Sequence, residues 1–204
     1  MGQKVHPVGY RVGVSKSWES TWFTEKNVAL FVLEDYKIRT LLNKEYKRAF
    51  LSKIEIARFP GLVNVTVHSG KPGILIGRKG SEIDVIANKL SKLIGAKKVS
   101  LSVKEVKQIE LDAAIVGADI ASQIERRVAY KRAIKQAIRN AIRAGAQGIK
   151  IRISGRLNNA EIARSEEFKE GRMSLNTLNA DIDYRLTEAL TQMGIIGIKV
   201  WLAK

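Results

Sequence analysis

Cysteine is absent from the 204 residues. Disulfide frameworks, thiol chemistry and cysteine-ligated zinc are therefore excluded. Histidine is almost absent. Only His6 and His68 occur, and two distant histidines make a poor metal site, so neither a metal nor a cofactor is expected. His68 closes an alternating run and reads as a sheet residue. No stretch approaches the ~18 apolar residues needed to span a bilayer, which argues against a membrane partner. Met1-Gly2-Gln3-Lys4 leads into no apolar run, which predicts no secretory signal. His6 stands where a myristoylation pattern needs Ser or Thr, and a cytoplasmic location is the default. Aromatic residues are 6% of the chain, too few for extensive base stacking. Acidic residues are scarce as well, 20 against 36 Lys and Arg.

That imbalance leaves a net charge of +16 and a pI near 10.1. Such a surplus repels itself in the folded state, and a polyanion relieves it. Nucleic acid leads over an anionic membrane or an acidic protein, because a pI above about 9 is its usual electrostatic footprint. Hydrophobic residues make up 45%, enough to bury a core.

Hydrophobic periodicity divides the chain in two. Residues 1–25, with Gly2, Pro7, Gly9 and Gly13 among Lys4, Arg11 and Lys16, read as an irregular basic arm. A helix is expected over Lys26–Lys47. Lys53–Arg58 and Leu62–His68 alternate like half-buried strands, with a Pro60-Gly61 turn between them. Ile74-Leu75-Ile76 runs into Gly77-Arg78-Lys79-Gly80. Ser81 then opens a helix whose stripe is Ile83, Ile86, Ala87, Leu90 and Ile94. Gly95 ends it, and Val99, Leu101 and Val103 mark another strand. The polar stretch Lys104–Glu110 reads as a boundary, which gives domains of 1–107 (folded core about 38–106) and 108–204. The second begins with helices over Leu111–Arg126 and Val128–Ala144. Strands follow around Ile149-Ile151-Ile153, Ala160–Phe168, Asp181–Leu190 (Ile182, Tyr184 and Leu186 sharing a face) and Gly197–Leu202. The expected class is α+β, with two helices on one face of a mostly antiparallel sheet in the second half.

Two constellations carry chemistry. In Gly77-Arg78-Lys79-Gly80 the glycines let backbone approach a phosphate, two cations sit at the same place, and a helix start adds amide donors. A glycine pair alone is more often a turn. Here the short apolar helix before it, the helix after it and the flanking strands form the pattern of a KH domain of the prokaryotic, type II arrangement, whose loop clamps about four nucleotides of a single strand. A P-loop fails because Gly80 separates Lys79 from Ser81. A dinucleotide fingerprint fails because residue 75 is Leu.

The other constellation is a run from Arg126 to Arg156 with ten basic residues and no acidic one: Arg126, Arg127, Lys131, Arg132, Lys135, Arg139, Arg143, Lys150, Arg152 and Arg156. Arg132, Lys135, Arg139 and Arg143 share one helix face, opposite Ala133, Ile134, Ala137, Ile138 and Ala141. A solvated face usually mixes signs, and like charges at this spacing destabilise a helix. A phosphate backbone explains the stripe better. Lys150 and Arg152, pointing outward on the next strand, are expected to extend the patch. Asp181 with Asp183, and Glu166 with Glu167, are paired carboxylates. They read as surface charges bound to nearby arginines, and no set of catalytic residues emerges.

With these residues in hand, nearly the whole chain resembles the bacterial family of small-subunit ribosomal protein three, the KH-containing member of that set. The opening through Gly13, Ser20-Thr21-Trp22, Pro72–Gly80 and Glu110-Leu111-Asp112-Ala113 carry the resemblance. So do Arg126–Ala133, Ser154-Gly155-Arg156-Leu157, Ala160–Arg164, Ala180–Tyr184 and Gly197–Trp201. Arg164, inside one of these signatures, joins the RNA-binding candidates. Asn158-Asn159 replaces two glycines usual in the family, and asparagine tolerates the left-handed backbone they adopt. Many relatives carry a longer polar C-terminal tail, whose roles do not carry over.

The resemblance implies a ribosome-bound structural protein in the head of the small subunit. It implies contacts with small-subunit ribosomal RNA and with proteins ten and fourteen of that subunit. It also implies a place beside proteins four and five where messenger RNA enters, with Lys131, Arg132 and Lys135 facing the message. A free-standing KH regulator would account for the glycine loop but not for the second-half signatures. A nuclease or lyase, an activity attributed to eukaryotic relatives, would need a nucleophilic lysine or a metal site, and neither is evident.

Overall fold

A computed structural model describes residues 4–77, 80–95 and 98–204. The chain divides into two compact units. One is Trp18–Lys107, and the other joins Gln108–Lys204 to the opening of the chain up to Ser17.

In the unit Trp18–Lys107 the elements run β1 (Ser20–Thr21), α1 (Val28–Glu45), β2 (Leu51–Phe59), β3 (Leu62–Ser69), α2 (Pro72–Ile76), α3 (Ser81–Ile94) and β4 (Lys98–Glu105). From α1 onward this is the α–β–β–α–α–β order of the expected KH arrangement. The sheet order is β1-β2-β3-β4, with β2 and β3 antiparallel and β4 parallel to β3. Alternation sends Ile54, Ile56, Val63, Val65 and Val67 to one face, where Ile38 and Leu42 of α1, Leu75 of α2 and Ile86 and Leu90 of α3 cover them. Each such side chain contributes about 1.5–3 kcal/mol by leaving water. Strand β1 was not expected. It forms because the Glu19 carbonyl accepts from Ile56 N at 2.8 Å. Ser20 Oγ and Trp22 Nε1 donate to the buried Asp35 carboxylate at 2.7 and 2.9 Å, which Arg58 also grips at 2.6 Å.

The other unit contains α4 (Ala113–Glu125), α5 (Tyr130–Arg143), β5 (Gly148–Gly155), β6 (Arg164–Gly171), β7 (Ile182–Thr191) and β8 (Gly194–Ala203). Its sheet order is β6-β5-β8-β7, with every neighbouring pair antiparallel. Ile149, Ile151, Ile153, Ile198, Val200 and Leu202 face the two helices and pack on Ile120, Ile134 and Ile138. Helix α4 starts where Asp112 Oδ1 accepts from Ala114 N and Ile115 N, a regular N-cap.

Two sequence expectations are corrected here, the start of β6 and the place of the basic arm. Strand β6 begins at Arg164 rather than Ala160, because the Ala160 carbonyl accepts from Arg156 Nε at 2.8 Å and is diverted from the ladder. On β7, Ile182, Tyr184 and Leu186 share a face as expected, and it is the face away from the helices, where they pair with Ala203, Trp201 and Lys199. It is Asp183 that reaches α4, accepting from Ala113 N at 3.0 Å. The two elements approach closely at Gly117, where an added Cβ would lie 2.6 Å from Thr187 Oγ1. The basic arm, read as part of the first domain, packs instead with the second. Arg11 donates to the carbonyls of Pro7, Leu175, Thr177 and Ala180, and Lys16 pairs with Asp181 at 2.5 Å.

Candidate nucleic-acid interface

Gly77 and Gly80 frame the glycine loop. Arg78 and Lys79 lie outside the described residues. Gly77 ends α2 with φ 68°, and a Cβ there would collide with the Glu82 side chain, so only glycine fits. Gly80 has φ 82° and precedes α3, with open space where a Cβ would stand. Backbone is thus accessible at Gly80. We expect Gly80→Asp to weaken single-stranded RNA binding by placing a carboxylate where phosphate would sit, with a left-handed backbone cost of only about 1–2 kcal/mol. Comparing RNA affinity and thermal unfolding of the two proteins tests this. Unchanged affinity would make the loop a turn and nothing more.

Helix α5 carries a row of exposed cations. Tyr130, Ala133, Ile134, Ile138 and Ala141 are buried, which fixes the rotation of the helix and leaves Lys131, Arg132, Lys135, Arg139 and Arg143 exposed. Among the described residues, none of these five has an acidic partner. The corner before α5 holds Arg126 and Arg127, also exposed. Arg127 takes φ 64° as its N–H returns to the Ile124 carbonyl at 2.9 Å.

The other basic candidates do not extend this stripe. Lys150 and Arg152 point to the sheet face opposite α5, since Ile149, Ile151 and Ile153 take the helix side. Lys150 is buried, 2.6 Å from Glu167 and over the Trp201 ring at 5.4 Å. The expectation that it extends the α5 patch is therefore wrong, as strict alternation put it on the other side. Arg152 is exposed on that other face. Arg156 braces the turn at Leu157–Asn159 through its bond to Ala160. Arg164 is exposed and lies 3.3 Å from Glu166. Asn158 and Asn159 both take left-handed φ, 52° and 60°, so the turn persists without glycine.

The carboxylates also have structural partners. Glu166 meets Tyr130 Oη at 3.1 Å besides Arg164, and Asp181 binds a lysine rather than an arginine. No group of three or more His, Asp or Glu among the described residues could hold a metal. The Lys150 hydrogen bond is the main cause holding Glu167 below the usual carboxylate range. With the folded pKa depressed, that stabilisation is present above the unfolded pKa and is lost as pH falls through the folded value. Lys150→Met should return Glu167 to ordinary titration, followed by carboxyl NMR, and leave the salt slope of RNA binding unchanged. Loss of about one unit of slope would instead mark Lys150 as a phosphate contact.

Comparison with known proteins places these elements. Residues 37–111 match the KH domain family, and residues 120–202 match the ribosomal protein S3 C-terminal domain. Small ribosomal subunit protein uS3 of Kosmotoga olearia is 54% identical over 205 residues, covering 100% of this chain and 95% of the relative. The chain belongs to the uS3 family. The uS3 proteins of Caldicellulosiruptor bescii and Bacillus thuringiensis are each 50% identical, and each is covered to 92% of its length. The glycine loop falls in the KH match and α5 in the C-terminal match. A uS3 protein is an RNA-binding structural protein with a KH domain, not an enzyme.

Proposed function

We propose that the chain is a structural constituent of the small ribosomal subunit, bound to ribosomal RNA in the head. We further propose that it lines the channel through which messenger RNA enters. The observation that carries this reading is the cationic face of α5, which has no acidic partner among the described residues; in this reading Lys131, Arg132 and Lys135 meet the message and Arg139 and Arg143 meet ribosomal RNA. Phosphate contacts carry no sequence information, which suits a channel that passes every message. The glycine loop supplies a second RNA contact through Gly77, Arg78, Lys79 and Gly80. Arg126, Arg127, Arg152, Arg156 and Arg164 complete the basic set. Proteins ten and fourteen of the subunit are the expected neighbours in the head, and four and five are expected where the message enters. The working location is the cytoplasmic ribosome. Sedimentation tests the placement: the chain should remain with small subunits after a high-salt wash. Release into the free fraction would favour a free-standing KH regulator.

A further inference from the structure

A cavity of about 380 Å³ opens beside the start of α5. It lies where three corners of one unit meet: the α4–α5 connection, the turn at Leu157–Asn159 and the tip of the β7–β8 hairpin. Neither the basic stripe nor the glycine loop uses it. We infer that this cavity receives one unpaired nucleobase of an RNA strand whose backbone continues along the basic face of α5. The inference deepens the proposed RNA-binding function and rests on it.

The lining fits a base in three ways. Ile124, Val128, Leu190 and Ile196 give it apolar walls against which the faces of a planar ring can lie. Asn158, Asn159 and Gln192 border it with primary amides. Each amide offers both donors and an acceptor, the complement of a Watson–Crick edge. Their positions are set by the backbone. The two asparagines are held in left-handed conformations, and Thr191 Oγ1 donates to the Gly194 carbonyl at 2.7 Å, fixing the hairpin tip that carries Gln192. The volume lies near the lower end of the roughly 300–1,000 Å³ of small-molecule sites, suited to one base rather than a peptide segment.

Charge decides what goes in and what stays at the mouth. Arg127 and Arg156 line the cavity. Arg156 is oriented by its Nε bond to Ala160, which leaves its terminal guanidinium N–H groups available to a phosphate. Glu125 also lines the cavity, and its Oε1 accepts from Leu190 N at 3.3 Å. A carboxylate at that position disfavours a bare anion inside and accepts from an N–H on the edge of a base, such as N3–H of uracil. Tyr130 belongs both to the cavity wall and to the first turn of α5. A strand with its base in the cavity therefore meets Lys131 next. Proteins that read single-stranded RNA commonly work on such splayed, unstacked bases.

The test uses the full chain with two ten-nucleotide RNAs, one of uridine and one abasic throughout, measured by fluorescence anisotropy at fixed salt. Leu190 is 70% exposed, so Leu190→Trp fills the cavity from its rim without disturbing the core. Gln192→Ala removes one amide at the hairpin tip. We expect Leu190→Trp to cut the preference for uridine RNA over abasic RNA by about tenfold, the scale of one lost base contact, with abasic affinity unchanged. Gln192→Ala should give a smaller cut in the same direction. If both variants keep the full uridine preference, the cavity takes no base and the inference is overturned. If neither RNA binds the unaltered chain, the α5 reading itself fails, and the inference fails with it.

Discussion

Small subunits carrying alanine at Lys131, Arg132 and Lys135 together are expected to assemble normally, hold downstream message weakly and open message hairpins slowly. The three side chains leave α5 on its exposed face, while the face that docks the helix is Ala133, Ile134, Ile138 and Ala141. Removing the cations leaves that docking untouched. Each substitution should change stability by only about 0.5 kcal/mol, and relief of like-charge repulsion at spacings of three and four works in the stabilising direction. Binding responds differently. Every true phosphate contact releases condensed counterions, so the salt slope should fall by about one unit per residue, or about three in all, equally for every sequence. The competing account makes these residues neutralisers of ribosomal RNA. It predicts scarce subunits that handle message normally. Subunit yield and hairpin-opening rate, measured on the same preparation, separate the two, and low yield with normal opening would remove the messenger-RNA role.

What was readable in the sequence was whatever depends on near neighbours. The alternation of β2, β3 and β5, the apolar stripe of α3 and the two-faced character of α5 each arise within a few residues, and the folded chain keeps them. The glycine loop was legible for the same reason, since Gly77 and Gly80 do need backbone that other residues resist. What escaped were decisions made by distant partners. Two residues, Ser20-Thr21, cannot signal a strand. They become one because Asp35 and Ile56 fold against them. Alternation placed Lys150 opposite Ile149 and Ile151 correctly, yet it could not disclose that Trp201 and Glu167 cover the lysine on that side. The basic stretch was therefore overcounted as one patch. Ala160 has a strand-like neighbourhood, but its carbonyl is claimed by Arg156. In the arm, a charge that composition assigns to a polyanion serves the protein's own backbone instead.

That charge is Arg11, and replacing it should be the most destabilising single change at any of the basic residues. Its side chain is fully buried, 0% exposed. Its guanidinium donates to Pro7 O at 2.9 Å, Ala180 O at 2.8 Å, Thr177 O at 2.7 Å and Leu175 O at 3.3 Å. The planar fork of donors gathers the arm and the 175–180 segment around one cation, an arrangement no other side chain reproduces. Beside them Ile182, Trp201 and Ala203 form a small apolar cluster, and His6 meets the Tyr184 ring edge-on at 4.9 Å. Arg11→Ala strands four carbonyls, each costing about 1–3 kcal/mol when left unmade. Water reaches three of the four, which are only partly buried. We therefore expect a loss of about 3–5 kcal/mol from this unit rather than the full sum. Arg11→Lys keeps the charge but offers one compact ammonium in place of the fork, and should recover less than half of the loss. Hydrogen exchange is the appropriate measurement, because it reports β7 and β8 separately from the unit Trp18–Lys107. Protection should collapse in the amides of 175–184 and persist in β2 and β3. If Arg11→Ala leaves exchange in 175–184 within about 1 kcal/mol of the unaltered chain, then Arg11 does not hold the arm to this unit, and its charge is left for RNA.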